Sequence, residues 1–400
     1  MFLPTFVVSL GFLLYASAEG ILFAFFLYWS FIIANGAYYH LKCKGRSAKR
    51  PVSEYPMISI IIPVKNEEKK LPSSIDSIIK NDYPSDKMEI IIVEDGSVDK
   101  TYDVAKNYER LYPGLVKVYK LESNDKGKAG ALNFGAKMAT SGILVFVDAD
   151  TRIGQDYLKR AASKFLAGNR VLVGLTAVKN RKRNWLSFMV SLESDLTNYI
   201  IRGSEKLGLP SPVVGYSLVI DKSILEKVGG FRKSLTEDVE LWARLVMSKV
   251  KIGSFEGVVY IEPPATIADF FKQRLRWYKG YIDTLDLYFK VPREKRTFHM
   301  IMYLSMPLFG ALSTLLSIGF SLLKSLYLLY NIAGFTLDYV GVAIIILIYL
   351  KYFYRENLDS LKVKYSMFGY MYFVLMSLST IVALFSKVLG IEIKWHRKPR

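Results

Sequence analysis

The chain has 400 residues, of which 51% are hydrophobic and 14% aromatic, yet its formal net charge is +18. This combination indicates a membrane protein with a sizeable water-soluble part. The single cysteine and three histidines exclude a disulfide-stabilised scaffold and argue against a Cys/His zinc site. All four lie beside apolar runs, so the soluble part has no residues for thiol or histidine catalysis.

Two apolar runs open the chain. Gly20 to Tyr39 has the roughly 20 apolar residues that a bilayer-spanning helix needs, whereas Phe2 to Ala18 barely reaches that length. A cleaved signal peptide is the alternative for the first run, but no basic segment precedes it and a second apolar run follows at once. We therefore expect a retained helical hairpin over residues 1–41.

The segment that follows is basic, with Lys42, Lys44, Arg46, Lys49 and Arg50 close together. The positive-inside rule assigns such a cluster to the cytoplasm. We expect residues 42–55 to form a cytosolic linker and the domain after it, residues 56–265, to face the cytosol.

Strand-like and helix-like patterns alternate from residue 58 onward, which predicts an α/β domain with a mostly parallel sheet. The predicted strands are 58–64, 88–97, 115–121 and 143–150, and the predicted helices are 73–80, 99–112 and 129–139. Ligands of such sheets bind beyond the carboxyl ends of the strands. The polar residues at those ends are Asn66, Glu67, Glu94, Asp95, Asp148 and Asp150.

Two of these strand ends carry acidic motifs. In VDAD (147–150), Asp148 and Asp150 can hold a divalent cation that bridges phosphates, and the alternative is a pair of solvated turn aspartates. In VEDGSVDKT (93–101), Asp95 can accept hydrogen bonds from a nucleobase or ribose. Capping of the next helix explains Asp99 but leaves Glu94 and Asp95 unexplained.

Two helix starts carry charged residues. Lys128 in KGKAGALN (126–133) precedes Ala-Gly at a helix start, where the amides and the ammonium group suit an anion, although the Walker spacing is absent. In TEDVELWARL (236–245), Asp238 is a candidate general base. For Lys128 the alternative is a solvated basic turn. For Asp238 the alternative is an ordinary interaction of first-turn carboxylates with the helix dipole.

Two amphipathic helices follow, over residues 183–208 and 267–289. Core packing and docking at the membrane interface are equally compatible with the first. The second lies in a segment, 266–297, that contains QRLRW, in which Gln273, Arg276 and Trp277 share one helix face. This face suits a diphosphate and a sugar ring, whereas a basic helix that reaches for lipid phosphates would account for the arginines only.

Apolar runs return over residues 298–390. Phe298 to Leu350 can hold two spans, broken near Lys324 or Asn331, and Tyr365 to Leu389 can hold one more. Alternate counting places the basic tail, 391–400, outside the cell, while its charge favours the inside, and this conflict stays open.

The order IPVKNE, VEDGS, KAGALN, VDAD, TED and QRLRW resembles the membrane-embedded family 2 glycosyltransferases, the group of cellulose, chitin and hyaluronan synthases. The resemblance covers about residues 56–280 and the flanking spans. It implies a cytosolic GT-A domain, a Rossmann-like α/β fold, flanked by transmembrane helices in the cell membrane. It also implies a nucleotide-diphosphate sugar donor, a glycan or lipid acceptor, Mg²⁺ or Mn²⁺, and no nucleic acid.

The resemblance also assigns roles to the matching positions. Asp238 is the expected catalytic base, and Asp150 with Asp148 is the expected metal site. Glu262 matches a recurrent acidic position to which no role is assigned. The expected donor-binding residues are Pro63, Glu67, Asp95, Lys128, Asp148, Asp150, Gln273 and Arg276, and the expected acceptor residues are Trp277, Gly215 and Glu237.

Two departures from the family pattern bear on the function. Glu94 stands where an aspartate is usual, and VVGYS (213–217) replaces the acceptor loop of the cellulose-type enzymes. We expect an inverting hexosyltransferase that elongates a polysaccharide. Transfer of a single sugar to a lipid or lipid-linked acceptor is the alternative, followed by an inactive scaffold that binds nucleotide sugars or lipids.

Overall fold

The computed structural model describes residues 2–43, 54–121, 127–288, 294–324, 346–347, 351 and 360–391. The tail 392–400, most of the basic linker and the predicted break at Asn331 lie outside these ranges. The strands are β1 (Ile58–Val64), β2 (Met88–Glu94), β3 (Val116–Lys120), β4 (Ile143–Phe146), β5 (Arg152–Ile153), β6 (Val171–Val178), β7 (Leu218–Asp221) and β8 (Gly253–Ile261).

The helices of the first half are α1 (Phe2–Cys43), α2 (Leu71–Ile79), α3 (Thr101–Leu111), α4 (Lys128–Met138), α5 (Tyr157–Leu166) and α6 (Trp185–Lys206). Those of the second half are α7 (Lys222–Lys227), α8 (Glu237–Met247), α9 (Ile267–Tyr288), α10 (Lys295–Leu304), α11 (Met306–Lys324), α12 (Ser360–Ser366) and α13 (Gly369–Val388). The alternation of strands and helices predicted for residues 58–150 is confirmed.

One sheet organises the central domain, in the order β3-β2-β1-β4-β7-β6-β8-β5. The pairs β3–β2, β2–β1, β1–β4 and β6–β8 are parallel, whereas β4–β7, β7–β6 and β8–β5 are antiparallel. The sheet is therefore mixed, although six of its eight strands run in one direction, as the prediction of a mostly parallel sheet requires. The reason is β7, a short strand that follows the turn at Gly215–Ser217 and enters the sheet against the direction of both neighbours.

Alternate residues of the central strands face two helical layers. Ile60, Ile62 and Ile90 pack into the cluster that α2, α3 and α5 cover, while Ile61 and Ile91 face α4, α6 and α8. Both faces are buried, so the central strands read as continuous apolar runs rather than alternating ones.

The N terminus differs from the expected hairpin, because residues 2–43 form one continuous helix. A single glycine, Gly20, lies at the junction of the two apolar runs, but an isolated glycine costs a helix only about 1 kcal/mol, and no proline or second turn residue accompanies it. Within the described residues, Gly20–Lys42 and Ser360–Val388 are long and apolar enough to cross a membrane. A third candidate is the pair Lys295–Leu304 and Met306–Leu316, bent by 51°.

The two amphipathic helices are both confirmed, and both lie against these candidate spans. Helix α6 packs along α1, and α9 packs along α13. Leu186, Phe188 and Met189 of α6 also share a buried cluster with Phe270 of α9 and Tyr372 of α13. For α6, core packing and membrane docking do not exclude each other, because this helix packs on helices that could themselves span the bilayer.

Candidate active site

The acidic strand ends meet at one edge of the sheet. Because β1, β2 and β4 are parallel and adjacent, the residues that follow Val64, Glu94 and Phe146 emerge side by side. Helices α8 and α9 approach this edge from the second half of the chain: the Asp238 carboxylate accepts a hydrogen bond from the turn before β7, and Arg276 bonds the loop that precedes α8.

Asp95 lies at the end of β2 and holds the loop that starts α4. Its carboxylate oxygens accept the Gly127 amide at 3.0 and 3.1 Å, and the Lys65 ammonium lies 3.7 Å away. Gly127 has φ +114°, a conformation that disfavours any side chain. Asp95 therefore links the two segments between which a nucleoside would lie in the predicted donor site.

The neighbouring acidic turn has mainly local contacts. Asp99 accepts the Thr101 amide at 3.0 Å, so it caps α3 as the alternative interpretation required. The Glu94 carboxylate accepts the Ser97 amide, and the buried Glu67 donates its backbone amide to the Thr101 hydroxyl at 2.8 Å. Pro63 lies inside β1 opposite Val93, buried in the strand rather than at its open end.

Lys128 joins two acidic segments of the site. Its ammonium group lies 2.8 Å from Asp148 and 2.9 Å from Glu237, two carboxylates that come from different parts of the chain. Burial would lower the pKa of Lys128, but Asp148, Glu237 and Asp238 together raise it well above its usual value. Lys128 is therefore a permanent cation at the place predicted to meet the donor phosphates.

Asp238 is held by two backbone amides. Its Oδ2 accepts the Gly215 N–H at 2.9 Å and its Oδ1 accepts the Val239 N–H at 2.9 Å. A side chain at position 215 would come within 3.2 Å of the Asp238 Cβ, so the glycine permits the approach. Burial and the Glu237 carboxylate raise the pKa of Asp238, and Lys128 and the two amides oppose the rise only in part.

Asp150 points toward a second lysine, which the sequence analysis missed. The Lys70 ammonium lies 3.7 Å from Asp150 and 4.0 Å from Glu262, so two carboxylates from distant segments converge on one cation position. Among the described residues, no three His, Cys, Asp or Glu side chains form a complete metal site. The oxygen pair nevertheless fits Mg²⁺ or Mn²⁺ shared with a substrate diphosphate, because such ions commonly use one or two carboxylates plus phosphate oxygens.

The QRLRW segment lies on α9, where it joins the catalytic edge to the candidate spans. Arg276 donates to the Leu235 carbonyl at 2.7 Å and so holds the loop before α8. The Trp277 side chain is half-buried and packs on the cluster of Tyr278, Ile282 and Ala383. A helix whose arginines reach for lipid phosphates does not fit these contacts.

Sequence reasoning also missed Arg274, which is only 1% exposed and lies between Gln273 and Trp277. A basic residue next to the recognised motif positions carried no periodic or spacing signal of its own. Its partners come from α6 and α13, which are distant in sequence.

Comparison with a solved structure identifies the fold of this protein. The mannosyltransferase PcManGT from Pyrobaculum calidifontis, solved in complex with GDP-Man and Mn²⁺, superposes with a TM-score of 0.62 at 20% identity, over 94% of this chain and 100% of the other. The domain therefore has the GT-A fold of glycosyltransferases, with apolar helices at both ends. Residues 59–229 match the family model Glycosyl transferase family 2.

Curated relatives differ in the acceptors that their names imply. A beta-monoglucosyldiacylglycerol synthase of Synechocystis sp. is 27% identical over 57% of this chain, and the match spans about half, 49%, of that relative. A poly-beta-1,6-N-acetyl-D-glucosamine synthase of Staphylococcus epidermidis is 28% identical over 69% of this chain and 68% of that relative.

Proposed function

We propose that this protein is an inverting membrane glycosyltransferase that moves a sugar from a nucleotide-diphosphate donor to an acceptor hydroxyl, and that it elongates a polysaccharide. The observation that carries the proposal is Asp238, a carboxylate oriented by two amides beside the Lys128 cation. Its raised pKa makes it a stronger base than an ordinary aspartate.

In the proposed reaction, Asp238 accepts the proton of the acceptor hydroxyl as that oxygen attacks the anomeric carbon. The bond to the diphosphate breaks on the opposite face, so an α-linked donor gives a β-linked product. Lys128 stands where it would offset the negative charge that grows on the leaving diphosphate. A Mg²⁺ or Mn²⁺ ion, held by Asp150 with Asp148 or Glu262 nearby, would supply further charge neutralisation when bound.

The acceptor site is proposed at Trp277. Its ring packs on the cluster Tyr278, Ile282 and Ala383, which Leu308 of α11 and Met376 of α13 also flank, so it lies where the catalytic edge meets the candidate spans. In this proposal a growing glycan stacks on the exposed part of this ring, and Gly215 and Glu237 are the other proposed acceptor residues. The same position next to apolar helices, together with the glucosyldiacylglycerol synthase relative, supports transfer to a lipid as the second candidate.

The proposed location is the cell membrane, with several spans and the catalytic domain on the cytoplasmic side. The basic residues that follow the first candidate span support this orientation. An inactive scaffold is the least favoured function, because the chain retains Asp238, Lys128 and both aspartates of the VDAD motif.

The test is to supply membranes containing the protein with a panel of labelled nucleotide sugars and to analyse lipid and polymer products by mass. A labelled polymer that forms with the unaltered protein and not with Asp238→Asn supports the proposal. A single sugar on a lipid would replace the acceptor class, and no transfer from any donor would refute the enzyme.

A further inference from the structure

Arg274 is a buried cation in the middle of the QRLRW segment. Its guanidinium group forms an ion pair with Glu193 of α6, and the same nitrogen, Nη2, lies 3.3 Å from the hydroxyl of Tyr372 on α13. The Tyr372 hydroxyl donates in turn to Glu193. One side chain of α9 is thus bound to the helix that packs on the N-terminal span and to the C-terminal span itself.

The same guanidinium group contacts both neighbours that the motif assigns to substrate binding. Its Nη1 donates to the Gln273 Oε1 at 3.3 Å, and its central carbon lies 4.3 Å from the ring centroid of Trp277. Phe270 lies at 4.7 Å from the same carbon. The planar cation therefore stacks against aromatic rings while its edge nitrogens reach the polar partners, which lysine could not do at once.

Packing alone does not account for an arginine at this position. Its surroundings include the rings of Phe270 and Trp277, and an apolar side chain of similar volume, together with a neutral residue in place of Glu193, would fill the space without the cost of removing charges from water. What an apolar residue would lose is the fixed direction of the contacts. Arg274 binds Glu193 of α6 and Tyr372 of α13, and it also contacts the motif side chains Gln273 and Trp277.

We propose that Arg274 is a positioning residue that makes the placement of Trp277 and Gln273 depend on the docking of α13. Undocking of α13 removes the Tyr372 hydroxyl, weakens the Arg274–Glu193 pair and releases the ring of Trp277. The inference rests on the proposed function, in which Trp277 forms the floor of the acceptor site. It adds that this floor is complete only when the C-terminal membrane helix is in place.

The test labels the full-length protein with 5-fluorotryptophan and records ¹⁹F NMR spectra, with the Trp277 signal assigned from Trp277→Phe. Arg274→Met should shift or broaden this signal, and Arg274→Lys should restore it in part. Tyr372→Phe removes one hydroxyl and should move the signal in the same direction by less. An unchanged Trp277 signal in both Arg274→Met and Tyr372→Phe would overturn the proposal, and if Arg274→Met does not fold, Tyr372→Phe alone decides.

Lys387→Gln is the matched control. Lys387 also joins α13 to α9, through Asp283 and Asp286, but it has no contact with Trp277. Its loss removes one ion-pair link between the two helices but leaves the contacts among Arg274, Glu193 and Tyr372 in place, so the signal should not move. A shift as large as that of Arg274→Met would mean that general packing of the two helices, rather than Arg274, places the ring.

Transfer assays add a second readout. With the nucleotide sugar that gives turnover in the donor panel, Arg274→Met should lower transfer roughly ten- to thirtyfold, the size of a desolvated cation–π contact. Titrations of the same variant with UDP and GDP in the presence of Mn²⁺ should show a smaller loss than transfer does, because Gln273 is only one of several expected donor residues. The double variant Arg274→Met/Glu193→Gln should stay impaired, because it removes the stranded charge but does not restore the stacking. Recovery in the double variant would overturn the proposal.

The NMR spectra and the transfer assays test the positioning role and the proposed function independently. If no donor supports transfer, the proposed function falls, but the Trp277 signal still reports whether Arg274 sets the ring. If transfer is normal in Arg274→Met, the positioning role falls and the enzyme stands.

Discussion

The two edges of the central sheet both contain buried carboxylates, but these carboxylates differ in the number and charge of their partners. At the amino-terminal edge, Glu89 is 1% exposed and is bonded by Ser59 at 2.6 Å, by Lys117 at 2.6 Å and by the amide and hydroxyl of Thr140. At the carboxyl edge, Asp238 has two amide donors and a second carboxylate, Glu237, beside it.

The two pKa values diverge accordingly. Burial alone would raise the pKa of Glu89, but its four hydrogen bonds lower it to about 2. Burial raises the pKa of Asp238, and the neighbouring charge of Glu237 adds to the rise. Glu89 stabilises the fold, whereas Asp238 is kept less well satisfied at the edge where chemistry is proposed, which is the usual difference between a structural and a functional ionisable group.

The largest expected effect is on catalysis at Asp238. Asp238→Asn should lower transfer about a hundredfold to ten-thousandfold, because an amide cannot take the proton. Its unfolding midpoint should change little, since removal of a carboxylate whose pKa is raised offsets the loss of one of the two amide hydrogen bonds, which a single side-chain oxygen cannot keep. Transfer rates and thermal unfolding of the purified variant check both.

The control for this prediction is Asp86→Asn, at an exposed position near the other edge of the sheet. It should leave both quantities unchanged. In the unaltered protein, transfer should also fall as the pH is lowered through the raised pKa of Asp238, because only the ionised form accepts a proton. Retention of more than about a tenth of the activity by Asp238→Asn would remove the assigned role.

The next largest effect is expected on metal binding, which we propose occurs only at the carboxyl edge of the sheet. Asp150→Ala should weaken Mn²⁺ binding in the presence of UDP or GDP and abolish metal-stimulated transfer, because it removes a carboxylate from the position shared with Lys70 and Glu262. Electron paramagnetic resonance of free Mn²⁺ measures the binding. Full activity of the unaltered protein in excess chelator would contradict the prediction.

A third substitution tests the amino-terminal edge of the sheet, where Glu89 lies. Glu89→Gln should lower the free energy of unfolding by about 3 kcal/mol near neutral pH, from the difference between the ordinary pKa of 4.5 and about 2. Since the folded pKa is depressed, this contribution is present above about pH 4.5 and is lost as the pH falls toward 2. Denaturant unfolding at several pH values should show a flatter profile for the variant over that window.

Donor binding should be unaffected in Glu89→Gln, and Glu226→Gln, an exposed substitution, should change neither quantity. A catalytic defect in Glu89→Gln that exceeds its loss of folded protein would show that the two edges are not independent.

The smallest expected effect is at Gly280 of α9. A Cβ there would overlap the side chain of Thr236, two residues before Asp238. Gly280→Ala should therefore displace the start of α8 and lower transfer several-fold, roughly 1 kcal/mol in the barrier, with little change in nucleotide binding. Transfer equal to that of the unaltered protein would show that Thr236 can yield without moving Asp238.

The sequence predicts the central domain well because local patterns determine it. The first strand is found where the apolar run 58–64 predicted it, and α4 begins at Lys128, within one residue of the expected helix. The convergence of Asp95, Asp148 and Asp150 follows from the geometry of adjacent parallel strands, which needs no knowledge of side-chain contacts.

The sequence does not reveal features that depend on contacts between distant segments. Glu237 was expected beside the acceptor. The sequence did not predict its ion pair with Lys128, because the two residues lie more than a hundred positions apart. Lys70, Glu262 and Arg274 acquire their partners only when the chain has folded. The N-terminal hairpin was wrong because a charged residue and a glycine between apolar runs resemble a turn, while only packing decides whether the helix continues.

The contact between α1 and α6 has a consequence for where the reaction takes place. A side chain at Gly36 would overlap the Tyr199 carbonyl, and one at Gly203 would overlap the Ile32 carbonyl, so the two helix backbones touch at this crossing. Helices that meet through backbone atoms can neither slide nor rotate past each other without a clash. If α1 spans the bilayer as proposed, the height of the carboxyl edge of the sheet above the bilayer surface is a fixed dimension of the protein, and in the proposed reaction an acceptor of any chemistry must reach that height.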